Sequence, residues 1–197
     1  MNLFKKWKVI GLLCVSLFTI HSAAEAATLH TAKSGDSLWS IGMDYGVSVL
    51  ELKKANGKSS ANVNPGEKIK VPGGITAEEE ELLARLVSAE AKGEPYAGKV
   101  AVATVVLNRV PSPDFPNTIK GVIYEVSPTG YPSFSPVGNG TINKPADAES
   151  KRAVKEALTF EGQGYGSLFF YNPDKATNHW IATRETTTVI GNHVFAR

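Results

Sequence analysis

The apolar positions of this 197-residue chain fall into short periodic stretches, and one stretch ends on a residue that breaks its own pattern. In "ELLARLVSAEAKGEP", Leu83, Leu86 and Val87 stand at i, i+3 and i+4, the spacing of a helix face turned toward a core. Position i+7 of the same stripe is Glu90, and a second carboxylate, Glu94, comes four residues later. Thr76 with Glu79 forms a capping box. The acidic run Glu78 to Glu81 suits the positive end of a helix, and Gly93 with Pro95 is a stop signal. The pattern predicts a helix from Ala77 toward Lys92, with Glu90 in its last turn on the apolar side.

Upstream, Thr28 to Pro72 reads as strand, helix, helix, strand. A weakly alternating start is followed by "GDSLWSIGMDYG", with Asp36 or Ser37 as N-cap, Leu38, Ile41 and Gly42 on one side, and Gly46 at the end. "SVLELKKAN" is a second short helix capped by Ser48, with Val49, Leu50 and Leu52 as its apolar residues. "NPGEKIKVP" is a Pro-Gly turn and a strand in which Ile69 and Val71 alternate with lysines. Gly73 and Gly74 make a flexible joint to the acidic helix start at Thr76.

Downstream, "AGKVAVATVVLNRV" is apolar on all sides. Its valines favour a strand, whereas its length, alanines and threonine permit a buried helix, so periodicity leaves both open. "PSPDFPNTIKGVIYE" is rich in turn residues. "SPTGYPSFSPVGNGTIN" has the composition of a loop or hairpin over a cleft. "KPADAESKRAVKEALTFEG" is an amphipathic helix with Ala153, Val154, Ala157 and Leu158 inside and Gly162 after its end. The last 31 residues are aromatic and β-branched around a "YNP" turn.

An acid on a core-facing stripe calls for a chemical account. Burial, the negative end of the helix and the nearby Glu94 would each raise the pKa of Glu90. A glutamate that keeps its proton near neutral pH is what glycosidic bond cleavage requires as a general acid. The competing explanation is a structural glutamate paired with Arg85, Lys92 or Arg109.

The first 26 residues stand apart. Lys5, Lys6 and Lys8 form a basic start, and Val9 to Ile20 is an apolar run too short to span a bilayer comfortably. Ala24-Glu25-Ala26 offers small residues for cleavage. This is the layout of a secretory signal. Cleavage after Ala26 removes Cys14, the single cysteine, so the mature chain has neither disulfide nor thiol nucleophile. It also removes three lysines and one glutamate, taking the formal charge from +2 to zero, a balance that does not suggest a nucleic-acid partner.

The Thr28 to Pro72 stretch resembles the LysM domain through Gly35-Asp36-Ser37-Leu38, Ile41, Tyr45-Gly46-Val47, Leu52, Ala55-Asn56 and the Asn64-Pro65-Gly66 turn before Ile69-Val71-Pro72. The resemblance implies a groove that reads N-acetylglucosamine in peptidoglycan or chitin. That groove lies between the Gly35 to Leu38 loop and the Ala61 to Gly66 region, which makes Gly35, Asp36, Ser37, Leu38, Asn64 and Pro65 its candidate contacts. Glu78 to Arg197 resembles the catalytic domain of the SleB/CwlJ type of cell-wall hydrolases, the spore cortex-lytic family. It does so through "ARLVSAEAKGEPYAGKVAVATVVLNRV", "FPNTIKGVIYE", "SFSPVGNGTI", "FYNPDKA" and "IGNHVFAR", in order. This second resemblance implies a compact fold related to lysozyme and lytic transglycosylases, in which the valine-rich segment is a helix. It puts the family's essential acid on Glu90, with Glu94, Tyr131, Ser133, Phe134, Ser135, Tyr171 and Asn172 as candidate substrate contacts. Best-known members with a signal peptide carry a different binding domain in front, so both spore cortex and vegetative wall stand as targets here.

The expected architecture is therefore α+β: a signal peptide over 1–26, a βααβ LysM module over 27–72, a linker over 73–77 and a mainly helical catalytic domain with a small β-hairpin region over 78–197. Other wall chemistries fit poorly. No mature cysteine exists for a cysteine peptidase or transpeptidase. His30, His179 and His193 do not form a zinc-ligand pattern, so His179 and His193 read as ordinary polar or half-buried residues, and no metal or cofactor is expected. The candidate serines lie in no nucleophile elbow. Two-acid glycosidases place carboxylates on both sides of the bond. Among Glu94, Asp114, Glu125 and Asp147 none has a clear second role, which favours a lytic transglycosylase. The non-enzyme reading is a wall-binding or spore-envelope structural protein with an inactive or weak hydrolase domain. The expected product is a secreted monomer held by peptidoglycan strands of GlcNAc and MurNAc, including muramic lactam where the target is cortex. It makes no stable membrane insertion after cleavage.

Overall fold

The computed structural model describes residues 27–128, 130–161, 166–176 and 180–197. The expected signal segment, Gly162 and His179 lie outside the described residues. The first module is a two-stranded antiparallel sheet of β1 (Thr28–Thr31) and β2 (Lys68–Val71), in register from Thr28 opposite Val71 to Thr31 opposite Lys68, covered by helices α1 (Leu38–Tyr45) and α2 (Val49–Asn56). Ser37, rather than Asp36, caps α1: its hydroxyl accepts from Ser40 N–H and its backbone N–H donates to Ser40 Oγ. Gly46 closes α1 in the left-handed region at φ 63°, where a glycine carries no Cβ strain. Leu38, Ile41, Val47, Val49, Leu52, Ile69 and Val71 form a small core, while Leu50, on the other face of α2, stays 42% exposed.

The second module builds on α3 (Ala77–Glu90), α4 (Tyr96–Arg109) and α7 (Ala148–Thr159). The capping box of Thr76 and Glu79 is present at the start of α3, and the helix ends at Glu90 with Ala91 as its C-cap. The valine-rich segment is α4. Val102, Ala103, Val105, Val106 and Leu107 are buried around it because α3 and α7 pack on it, and a helix apolar on all sides belongs at the centre. Polar links fix α4 against α7. Lys99 pairs with Glu149 at 2.8 Å and Asp147 at 3.6 Å, and Tyr96 donates to Glu156 at 2.7 Å.

The turn-rich "PNTIKGVIY" contains a helix that composition does not announce, α5 (Ile119–Ile123). Thr118 caps it by accepting from Gly121 N–H at 3.0 Å, and its three buried residues Ile119, Val122 and Ile123 join the core. The loop over the cleft carries a bridge between Val126 and Pro132, the short helix α6 (Ser135–Gly138) and a 3-10 turn at Thr141–Asn143. The chain ends in a three-stranded antiparallel sheet of β3 (Phe169–Tyr171), β4 (Thr186–Ile190) and β5 (His193–Ala196), with β5 in the middle. The strands of this module therefore lie at the chain end, whereas the stretch expected as a loop or hairpin over the cleft is a loop with one bridge and a short helix.

The two modules touch where α1 crosses the end of α7. Gly42 permits that approach, since a Cβ there would lie 2.6 Å from the Val47 carbonyl oxygen and 2.9 Å from Thr159 Cγ2.

Candidate active site

Glu90 is the last residue of α3, and its carboxyl leaves the core at the floor of a cleft of ≈ 460 Å³. One wall is the loop Ser133, Phe134 and Ser135. The other is the end sheet and the turn after it, with Phe170, Tyr171, Asn172, Lys175 and His193. Leu82, Leu83, Leu86 and Val87 anchor the helix in the core, so the position of Glu90 comes from the same i, i+3, i+4, i+7 stripe that places them.

Burial holds the Glu90 carboxyl above the usual carboxylate range, and the Ser135 hydroxyl and backbone, hydrogen-bonding to it, pull it partly back. Ser135 Oγ–H donates to Glu90 Oε1 at 3.4 Å. None of the described Lys or Arg residues forms an ion pair with it, so Arg85, Lys92 and Arg109 are not its structural partners. Burial alone raises this acid; the charge of Glu94, expected to contribute, does not. The reason is geometric. Glu94 is not on the helix but in the elbow between α3 and α4, where Oε2 accepts from Asn192 N–H at 2.9 Å and Oε1 from Asn192 Nδ2 at 3.1 Å. Burial pushes Glu94 up, but those two donors, with Lys175 and His193 nearby, outweigh it and leave its carboxyl below the ordinary value.

Of the other expected contacts, Ser133, Phe134, Ser135, Tyr171 and Asn172 line the cleft with Glu90 and Glu94. Tyr131 does not. It is 73% exposed on the loop beyond, with its backbone N–H donating to Ser127 Oγ. Ser133 Oγ donates to Glu125 Oε2 at 2.9 Å, and Asn172 Oδ1 accepts from Asp174 N–H, so both side chains are already engaged by their own loops. Asp114 is exposed away from the cleft lining, and Asp147 caps α7 by accepting from Ser150 N–H.

Two lining residues are not apparent as site residues in the sequence. Arg109, 7% exposed, donates from Nε to the Leu168 carbonyl at 2.7 Å and stacks over the rings of Phe115, Phe134 and Phe169. Burial pulls its pKa down to about 10, with Glu125 opposing, so it stays charged at neutral pH. It ties the end of α4 to the strand and the loop that face each other across the cleft. A signal for it does exist: Val102, Val105, Val106 and Arg109 repeat on α4 the spacing of Leu83, Leu86, Val87 and Glu90 on α3. His193, 6% exposed, packs between Phe170 and Phe195, and burial lowers its pKa, so it is neutral at pH 7. No local pattern marks it.

In the LysM-like module, Leu38 N–H donates to the Ala61 carbonyl at 3.0 Å and Ser37 bridges Asn62, which brings the two expected glycan-binding loops side by side. Asp36 accepts from Lys33 N–H and His30 Nε2, both at 2.8 Å, and Ser37 is spent on the helix cap. The Leu38 side chain is fully buried, whereas Gly35, Asn64 and Pro65 lie at the surface.

A partly buried glutamate whose pKa burial raises, on the floor of an open cleft with a hydroxyl beside it and aromatic and amide groups on the walls, is an arrangement able to exchange a proton with an extended polar ligand. The chain belongs to the cell wall hydrolase family, whose model matches residues 93–196, beginning just after Glu90; a LysM domain model matches residues 30–72. A spore cortex-lytic enzyme of Halalkalibacterium halodurans is 42% identical over 125 residues, 64% of this chain and 36% of that one. Its counterpart in Bacillus cereus is 39% identical over 144 residues, 73% of this chain and 54% of that one. A matched stretch of either length in a chain of 197 residues necessarily spans position 90. The solved catalytic domain of the germination-specific lytic transglycosylase SleB from Bacillus anthracis is 40% identical, with a TM-score of 0.58 over 64% of this chain and 100% of that one. The chain spans only about a third to a half of the curated relatives it matches.

Proposed function

We propose that this protein cleaves the MurNAc–GlcNAc glycan backbone of peptidoglycan, in cell wall or spore cortex, with Glu90 as its acid and base and without a second catalytic carboxylate. The observation that carries the reading is the pairing of two facts at the cleft. Burial raises the pKa of Glu90 above the usual carboxylate range, and Glu94, the other acid lining the cleft, is tied to Asn192.

In this reading the protonated Glu90 donates to the glycosidic oxygen as the bond to the muramic anomeric carbon breaks. The muramic C6 hydroxyl attacks that carbon, and the ionised Glu90 takes the hydroxyl proton back. The product is a 1,6-anhydro end, no water is consumed, and the acid is restored for the next bond. Ser135, within hydrogen-bond reach, orients the Glu90 carboxyl. The LysM-like module holds the chain on the wall, where a tethered binding unit raises the local concentration of substrate. Export by cleavage after Ala26, release without stable membrane insertion and action as a monomer complete the proposal.

Clearing of a purified peptidoglycan suspension by the mature chain tests it. Wild type should clear the suspension and Glu90→Gln should lose at least ~10²-fold in rate. Binding without release of soluble muropeptides by wild type would instead indicate a structural wall protein.

A further inference from the structure

A second cavity, of ≈ 290 Å³, opens directly beside the cleft and shares Ala89 and Lys92 with it. Its remaining walls are Arg85 and Ser88 from α3, Thr141, Lys144 and Pro145 from the loop, and Asp147. Three cations line it. None of the three forms an ion pair with a described residue, and Arg85 Nε is buried without an acceptor. The single acid is already committed. Asp147 accepts from Ser88 Oγ at 2.8 Å and Ser150 N–H at 2.7 Å, and Lys99 lies 3.6 Å away. Glu81, one turn before Arg85 on α3, feels the Arg85 charge but is engaged by Lys151 at 2.8 Å. The cavity therefore carries unbalanced positive charge one residue from Glu90 along the same helix.

We infer that the cavity walled by Arg85, Lys92 and Lys144 is a subsite for a carboxylate carried on the peptide substituent of the muramic acid. The inference rests on the glycosidase reading of the cleft. Where a peptide is attached, the lactyl carboxyl of the muramic acid is tied up as an amide and the glycan itself is uncharged, so a cationic recess beside the cleft finds its partner in the carboxylates of the peptide. Peptide carboxylates supply that charge at every substituted muramic acid. Strands whose muramic acids carry a lactam supply none. A charge-assisted contact to a partly buried guanidinium contributes more than an exposed lysine pair. Arg85 is thus the anchor and Lys144 the outer contact. The subsite turns the enzyme toward peptide-bearing strands.

The test compares full-length wild type, Arg85→Gln/Lys144→Gln and Lys144→Gln on two preparations from one peptidoglycan sample freed of phosphate polymers. One preparation is intact; in the other the peptide carboxyls are amidated, which removes their charge without freeing the lactyl carboxylates. The double variant should lower the ratio of kcat/KM on intact to amidated glycan about fivefold, the effect of two partly exposed charge pairs. Lys144→Gln, at an exposed position that cannot endanger folding, should lower the ratio by a smaller factor. An unchanged ratio in both variants, or an equal loss on both preparations, overturns the subsite. Binding is measured in parallel in the Glu90→Gln background with soluble peptide-bearing glycan fragments whose peptide carboxyls are either free or amidated. A preference for the free-carboxylate fragment that vanishes with Arg85→Gln/Lys144→Gln supports the subsite without turnover, and the lack of any preference overturns it. Failure of wild type to cleave either preparation would instead remove the glycosidase reading.

Discussion

Replacing Glu94 with alanine removes both hydrogen bonds that hold the β4–β5 turn over the elbow between α3 and α4. The turn is built tightly around that carboxylate. Gly191 sits at φ 58°, and a Cβ there would run into Glu94 and lie 2.7 Å from Pro95 Cδ. Each lost bond to a charged acceptor costs about 1 kcal/mol at a solvent-facing site. The total is about 1–2 kcal/mol, or ~3–8 °C in Tm for a domain of this size. The sign with pH comes from the lowered folded-state pKa. The stabilisation is present above the unfolded value of 4.5 and is lost as pH falls through the folded one, so the Tm gap between wild type and Glu94→Ala should close in acid. The alkaline limb of the activity profile should stay where it is, because burial and not the charge of Glu94 raises Glu90. Thermal melts from acid to neutral pH and the pH–rate profile on peptidoglycan check both parts. A limb displaced to lower pH would refute the reasoning, as would an unchanged Tm at neutral pH.

Three further outcomes are expected. Glu90→Gln should melt at or above wild type at pH 7: a carboxyl whose folded pKa is raised gives up stability as pH climbs from 4.5 through the folded value, and the amide escapes that loss, so the two proteins should melt together near pH 4. Asp147→Ala should cost about 1 kcal/mol by uncapping α7, read by urea denaturation, and the wild-type advantage should fade as pH falls from 3.8 toward about 2, the folded-state pKa of this carboxyl. The isolated segment from Thr28 to Pro72 should sediment with insoluble peptidoglycan, and its deletion should weaken wall association more than turnover of soluble fragments; a segment left in the supernatant would contradict its role.

Local chemistry made much of the fold legible. Thr76 with Glu79, Ser37, Ser48 and Gly46 mark helix ends by groups that satisfy or tolerate the special backbone at those ends, and all act there in the structure. The stripe on α7 is as regular, with Ala153, Val154, Ala157 and Leu158 buried. Periodicity is ambiguous on α4, whose less buried side is itself mostly alanine and valine (Ala97, Val100, Ala101), so that its packing against α3 and α7 decides that it is a helix. It failed at α5, where five residues are too few to show a period and Pro116, Asn117 and Gly121 speak for a turn. At the site, Glu90 stood out because an acid on an apolar stripe violates a local rule. Arg109 violates the same rule on α4, but its charge also suits it as a partner for Glu90, and that simpler role hides its place in the cleft wall. His193 obeys every local rule, and its place in the cleft depends on the pairing of β3 with β5 across more than twenty residues of chain. Glu94 misled for the opposite reason. Spacing put it on the helix, whereas Ala91 ends α3 and the elbow turns the carboxylate to Asn192.

The central claim is that Glu90 alone serves as acid and base while the substrate supplies its own nucleophile. Mass analysis of muropeptides released in water enriched in heavy oxygen tests it most directly. The account predicts glycan ends lighter by one water than hydrolysis products, free of solvent oxygen, and absent from digests with Glu90→Gln. Reducing ends that carry the heavy oxygen would contradict transglycosylation, and full release of fragments by Glu90→Gln would contradict the assignment of Glu90 itself.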